Sequence, residues 1–338
     1  MSKITDSIVG HAIGDAMGMP TEFCIRKHLL SNPVVDMIGS KKVGQPAGSW
    51  TDDTSMEIAT IESIVSNNGF NYSDIMSRWC DWLNNGEYTP NGVVFDVGRT
   101  CLRACRNFMN GIEPTKCGLS DENSNGNGSL MRILPVAIYS YINDLSNGEL
   151  LKLTNDVSSL THGHNISKLA CYMYVKFIIR LLNGMSKEEC YEYLKNDDYS
   201  MYDYNSISKY DRLIKGDIRK FKIDDIKSSG YVVDTWECVL WILLNSKSYK
   251  ETIIAATNIG QDTDTIGAIV GSMAGIIYGL DKAPKQWLDT LIKKDYLIDL
   301  ANKLENLKGV KRWKNIISIK TSSQSYAKIL KSIETKRM

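Results

Sequence analysis

Apolar residues recur three and four positions apart through most of this chain, and no stretch shows sustained alternation at period two. The first spacing gathers side chains on one face of an α-helix, whereas alternation would gather them on one face of a strand. The pattern predicts helices over residues 6–17, 55–66, 73–83, 98–109, 129–141, 167–182, 233–244, 249–259 and 265–278. Short polar turns punctuate them, as at Asn67-Asn68-Gly69, Asn84-Asn85-Gly86 and Asn183-Gly184; Gly and Asn tolerate the backbone that ends a helix. Residues 191–229 break the pattern, being rich in Tyr, Asp and Lys, and read as a partly helical excursion over the surface. The expected fold class is all-α, a compact single domain over residues 1–307. A basic C-terminal extension over residues 308–338, helical or loosely attached, follows it.

Charge sharpens that boundary. Formal net charge is +1 over 338 residues, so no global field favours nucleic acid or an anionic membrane. From Lys308 onward, however, nine basic residues face one acid, leaving the body at 1 − 8 = −7. A solvated or packed terminal helix is the favoured reading of that end, with phosphate contact as its rival. No apolar run reaches the roughly 18–20 residues that span a bilayer. The start of the chain lacks the basic-then-apolar pattern of a secretion signal. The eight cysteines include no Cys-x-x-Cys pair, so they read as reduced and the protein as cytoplasmic.

Two acidic clusters carry the candidate chemistry. Thr51, Asp52 and Asp53 precede one predicted helix, and Asp262, Asp264 and Thr265 precede another. Either set can be read as helix caps, since Thr and Asp suit the first turn. Together they also form a set of hard oxygen donors suited to Mg²⁺ or Mn²⁺. Their convergence depends on a helix–helix seam. Gly10, Gly14 and Gly18 in the first helix, with Gly267, Gly271 and Gly275 in the last, permit two backbones to approach closely. Asp15 reads as a buried structural acid or a site residue, and Glu22 follows in a loop after Pro20. Asp96 reads first as an N-cap. The loop Asn125-Gly126-Asn127-Gly128-Ser129 opens into a helix, where backbone amides can bind a phosphate. Arg132 reads as an anion ligand or as one half of a structural ion pair. His162 and His164 lack a third nitrogen or sulfur ligand for zinc. Tyr231 reads as a stacking platform or as rim packing.

In order along the chain, Gly14-Asp15-Ala16-Met17-Gly18, Trp50-Thr51-Asp52-Asp53-Thr54, Phe95-Asp96-Val97-Gly98, Gly126-Asn127-Gly128-Ser129-Leu130-Met131-Arg132, Leu160-Thr161-His162, Gly230-Tyr231 and Gly260-Gln261-Asp262-Thr263-Asp264-Thr265 resemble the motifs of the ADP-ribosylglycohydrolase family. The resemblance implies an orthogonal helical bundle around a binuclear centre of two divalent cations, Mg²⁺ or Mn²⁺. By that likeness Thr51, Asp52, Asp53, Asp262, Asp264 and Thr265 bind metal. Glu22, Asp52, Asp53 and Asp96 are the catalytic carboxylates. Gly126, Asn127, Gly128, Ser129, Met131, His162, Gly230 and Tyr231 contact the substrate. Arg99 stands where relatives often carry Asn. The implied activity is hydrolysis of the glycosidic bond at the anomeric carbon of the distal ribose, releasing ADP-ribose from a modified acceptor. A protein side chain is the favoured acceptor, ahead of small-molecule or nucleic-acid conjugates. A catalytically silent ADP-ribose-binding or structural member of the fold is the alternative. The expected partner is an ADP-ribosylated protein or ADP-ribose conjugate, with no membrane or nucleic acid, and the expected state is a monomer.

Overall fold

The computed structural model describes residues 1–307. The basic extension over 308–338 lies outside the described residues. The described residues form sixteen α-helices: α1 (Lys3–Gly18), α2 (Arg26–Ser31), α3 (Asp52–Asn67), α4 (Tyr72–Asn85), α5 (Arg99–Met109), α6 (Leu134–Asn143), α7 (Asn147–Ser159), α8 (Asn165–Leu182), α9 (Lys187–Asn196), α10 (Tyr204–Ser208), α11 (Asp211–Ile214), α12 (Val232–Asn245), α13 (Tyr249–Thr257), α14 (Thr263–Tyr278), α15 (Lys285–Thr290) and α16 (Lys294–Asn306). No strand occurs among the described residues, and extended pairing is limited to three isolated bridges. No helix among them is long and apolar enough to cross a membrane.

Helices α1 and α14 form the centre, and their glycines set the spacing. A methyl group on Gly14 would sit 1.9 Å from the Gly267 carbonyl oxygen. One on Gly10 would lie 2.6 Å from the Gly271 oxygen, and one on Gly275 2.1 Å from the Asp6 oxygen. The pairing order is antiparallel, so the start of α14 lies beside the end of α1. Both helices are buried around nearly their whole circumference, as expected for a helix without a polar face. The remaining helices cover this pair. Helix α4, for example, turns Ile75, Met76, Trp79 and Trp82 inward, and α8 turns in Tyr174, Phe177 and Ile178.

Two expectations fail for definite reasons. The helix expected over 129–141 is split into a short 3₁₀ turn at Leu130–Arg132 and α6. Pro135 sits in the first turn of α6; its missing N–H and its ring prevent a continuous helix through the preceding turn. Residues 191–229 are packed, not draped over the surface. Tyr191, Tyr199, Tyr202, Tyr210, Leu213 and Ile218 are buried. The tyrosines bury their rings because each hydroxyl finds an acceptor: Tyr191 donates to the Leu213 carbonyl (3.1 Å), Tyr210 to the Ile166 carbonyl (2.8 Å) and Tyr202 to Asn155 Oδ1 (2.7 Å).

Candidate active site

The C-terminal end of α1 gathers the site. Asp15, on the last turn of α1, accepts from the Thr51 N–H (3.0 Å), the Thr54 N–H (3.1 Å) and the Thr54 hydroxyl (2.6 Å). It thereby clamps the first turn of α3. Thr51 is the N-cap and its hydroxyl accepts from the Asp53 N–H (3.3 Å). Capping is thus done by Asp15 and Thr51, and the carboxylates of Asp52 and Asp53 serve no capping role. Helix α14 starts similarly. Asp262 is its N-cap residue, yet its side chain makes no capping bond; it accepts from the Asn127 amide at 2.6 Å. Thr21, just past α1, donates to the Thr257 carbonyl (2.7 Å) and its hydroxyl lies 3.0 Å from that of Thr263, which pins the start of α14 beside the Glu22 loop. The clusters touch directly: the Thr265 hydroxyl donates to Asp53 Oδ2 at 3.3 Å.

These helix starts open into a cavity of about 420 Å³. Six carboxylic acids line it, Glu22, Asp52, Asp53, Asp96, Asp262 and Asp264, against one cationic side chain, Arg99. One oxygen each from Glu22, Asp96 and Asp264 falls within 4.8 Å of the others. Burial and mutual repulsion act in the same direction on this group. Burial first, then Asp96 and Asp262, push Glu22 up to about 9. Burial and then Asp96 raise Asp52 well above the carboxylate range; burial and then Asp15 do so for Asp53, and burial and then Glu22 for Asp264. Asp53 Oδ1 and Asp264 Oδ1 are buried without a hydrogen-bond partner. Buried carboxylates of this density require a counter-charge. The donor set is oxygen only, so the residues present fit hard divalent cations.

The rest of the lining comes from loops. Gly126, Asn127, Gly128, Met131, His162 and Gly230 face the same cavity as the carboxylates. The Asn127 N–H donates to the Gly230 carbonyl and the Val232 N–H to the Asn125 carbonyl, both at 3.0 Å, which joins the two loops. Tyr231 lines an adjoining cavity of about 530 Å³ with Arg99, Gly126 and Gly230. Ser129 and Thr51 do not line either cavity. The Ser129 hydroxyl is buried and accepts from Ser158 (3.1 Å), while Thr51 donates to Asp53 Oδ2 (3.1 Å).

Phe23 and Arg26 are site residues that carry no sequence signal. Phe23 and Gln261 adopt left-handed backbone, at φ 60° and 64°. For a bulky residue such a conformation stores strain. The Phe23 N–H donates to the Gln261 carbonyl (2.6 Å) and the Gln261 N–H to the Cys24 carbonyl (3.0 Å), so the Glu22 and Asp262 loops are tied together. Arg26 spreads its guanidinium over the carbonyls of Ile259 (2.5 Å), Ile223 (2.6 Å) and Ile226 (2.7 Å), fastening the packed 191–229 segment to the site.

The chain as a whole is similar to known proteins. The sequence model of the ADP-ribosylglycohydrolase family matches residues 1–313. The ADP-ribosylarginine hydrolase Tri1 of Pseudomonas putida (strain GB-1) is 32% identical over 308 residues, covering 90% of this chain and 78% of that protein. The ADP-ribosyl-[dinitrogen reductase] glycohydrolase of Rhodospirillum rubrum is 30% identical over 294 residues, covering 85% of this chain and 90% of that protein. A solved structure described as an ADP-ribosylglycohydrolase-related protein complex superposes with a TM-score of 0.77 at 27% identity, over 91% of this chain and 98% of that one. The chain belongs to the ADP-ribosylglycohydrolase family.

Proposed function

We propose that this protein removes ADP-ribose from arginine side chains of modified proteins, with two divalent cations, Mg²⁺ or Mn²⁺, resident in the acidic cavity. The observation that carries the reading is the convergence of six carboxylates, three of them (Asp52, Asp53 and Asp264) buried, with the Gly126–Gly128 loop in one cavity. One wall suits cations and a reacting sugar, and the other suits a diphosphate. The arginine acceptor is supported by relatives at 30% and 32% identity, which are named ADP-ribosylarginine hydrolases.

The residues that would hold the ions are Thr51, Asp52, Asp53, Asp262, Asp264 and Thr265. When bound, such ions neutralise the carboxylates, orient ribose hydroxyls and lower the pKa of water. The chain's own groups do the rest. Asp15 and Thr21 hold the two helix starts in register. The Asn127 amide orients the Asp262 carboxylate, and the Gly98 N–H donates to Asp52 Oδ2 at 3.2 Å. Glu22 and Asp96 lie within hydrogen-bonding reach of each other, so a proton on the Glu22 carboxyl can pass toward a departing guanidine. As the bond from the anomeric carbon to nitrogen breaks, oxocarbenium-like charge develops on the sugar, and the surrounding carboxylates stabilise it. Water supplies the oxygen for the new bond and returns a proton to Glu22, so that one proton overall passes from water to the guanidine.

The test is release of free ADP-ribose from arginine-linked and serine-linked ADP-ribosylated proteins, in Mg²⁺, Mn²⁺ or EDTA. The reading predicts metal-dependent release from the arginine linkage. Release from serine alone would overturn the acceptor assignment. Release unaffected by EDTA would overturn the metal assignment. Tight ADP-ribose binding without release would establish a binding protein instead.

A further inference from the structure

Arg132 sits on the 3₁₀ turn behind the cavity, fully buried, and forms no ion pair with a carboxylate among the described residues. Its guanidinium lies 4.0 Å from the centre of the Trp79 ring. Its one hydrogen bond among the described residues is from Nη2 to the Thr161 hydroxyl, at 2.5 Å. Thr161 Oγ1 lies in turn 2.8 Å from His162 Nδ1.

The donors in this chain have a fixed direction. A guanidinium only donates, so Thr161 Oγ1 must accept from Arg132. That leaves the single Thr161 proton to be given to a neighbour, and His162 Nδ1 is the strong acceptor in reach. The Cys101 thiol also faces Thr161, but sulfur is a weak acceptor, and the thiol itself is directed at the Gly128 carbonyl (3.9 Å). With Nδ1 accepting, the neutral imidazole carries its proton on Nε2. His162 lines the cavity, and Nε2 lies 3.5 Å from the position of a Cβ on Gly126 and 3.6 Å from that of one on Gly128. No residue among those described takes its hydrogen bond.

We propose that Arg132 and Thr161 are positioning residues that lock His162 as a permanent Nε2–H donor, aimed from behind the Gly126–Gly128 loop at an acceptor oxygen of the bound ADP-ribose. Burial, and then the Arg132 charge, hold the imidazolium form down to about pH 3, so the ring does not charge in the working range. Gly126 and Gly128 leave the approach to the ring open, because a Cβ on Gly128 would stand 3.0 Å from His162 Cε1. The ligand half of this inference rests on the function proposed above, whereas the tautomer does not.

Long-range ¹H–¹⁵N correlation on the ligand-free protein reads the tautomer directly. A neutral ring protonated on Nε2 is expected across pH 5–8, and a ring protonated on Nδ1, or an imidazolium, would overturn the lock. Thr161→Val removes the relay, and Thr161→Ser restores it. Thr161→Val is expected to mix the tautomers and raise both KM and the Kd for ADP-ribose about tenfold, the scale of one hydrogen bond, with kcat nearly unchanged. Thr161→Ser is expected to behave as the natural protein. Equal loss in both variants would overturn the relay. Failure of the natural protein to bind ADP-ribose, with the tautomer as expected, would overturn the functional reading and the ligand assignment while leaving the lock in place.

Discussion

Gly14→Ala adds one methyl group where two helices meet, and the consequences follow from the distances. The new Cβ would lie 1.9 Å from the Gly267 carbonyl oxygen, 2.4 Å from its carbon and 3.0 Å from the Ala268 nitrogen. All three neighbours are backbone atoms, so no rotamer change relieves the clash. Carbon–oxygen contacts settle near 3.3 Å, so α1 and α14 must part by roughly 1.4 Å. Overpacking of a tight core costs about 1–3 kcal/mol when side chains can adjust, so here the upper end, about 3 kcal/mol, is expected. The displaced element carries Asp262 and Asp264, and a misplacement of about 1 Å can cost 10²-fold in rate. Urea unfolding monitored by circular dichroism reads the first effect, and ADP-ribose release by the folded fraction reads the second. Gly148→Ala is the control, because no neighbour stands within 4 Å of its new Cβ; in the first turn of α7 it should be neutral or stabilising by up to about 1 kcal/mol. If Gly14→Ala matched the natural protein in stability and turnover, the glycine seam would not be what sets the site.

Other predictions concern the carboxylates. Asp264→Asn is expected to abolish turnover yet raise the melting temperature in EDTA, since it removes a buried carboxyl whose ionisation is costly without a counter-ion; a lower melting temperature would mean that Asp264 stabilises the ion-free fold. An exposed glutamate titrates near 4.5, whereas burial and then the neighbouring Asp96 and Asp262 push Glu22 up to about 9, and burial pushes Asp15 up to about 7. Between those values the folded chain holds more protons than the unfolded one, so stability is greatest at low pH and is lost as pH rises. Melting temperatures in EDTA should therefore fall from about pH 5 to pH 9, and Mg²⁺ should recover more stability at pH 9 than at pH 5; a flat profile in EDTA would contradict the raised carboxylates. Tyr231→Ala should raise KM about tenfold with little change in kcat, the scale of losing one stacked ring; a change in kcat alone would place Tyr231 at the reacting centre.

How much of this was legible in the sequence depended on whether the cause was local. Helix periodicity located the central pair, and the six small residues at positions 10, 14, 18, 267, 271 and 275 foretold their contact, because close approach leaves a compositional mark. The choice between capping and ligation was not legible. It turned on Asp15 and Thr51 satisfying the amides of α3, and on Asn127 turning Asp262 away from α14. Pro135 did announce the break before α6, but the apolar spacing around it looked continuous. The 191–229 segment looked like surface because tyrosine is ambiguous: its ring buries only when the hydroxyl finds a distant acceptor, which is a tertiary fact. The same holds for Arg26 and Arg132, whose partners are carbonyls and a hydroxyl from remote parts of the chain.

The measurement that bears most directly on the account is metal content by mass spectrometry after equilibration with Mn²⁺ and gel filtration, for the natural protein, Asp52→Ala and Asp264→Ala. Two ions per chain are predicted for the natural protein, with loss of at least one in each variant, since the variants remove ligands from opposite helix starts. Metal-free natural protein that still releases ADP-ribose, or full occupancy in both variants, would contradict the claim that the two acidic helix starts form one cation-binding centre.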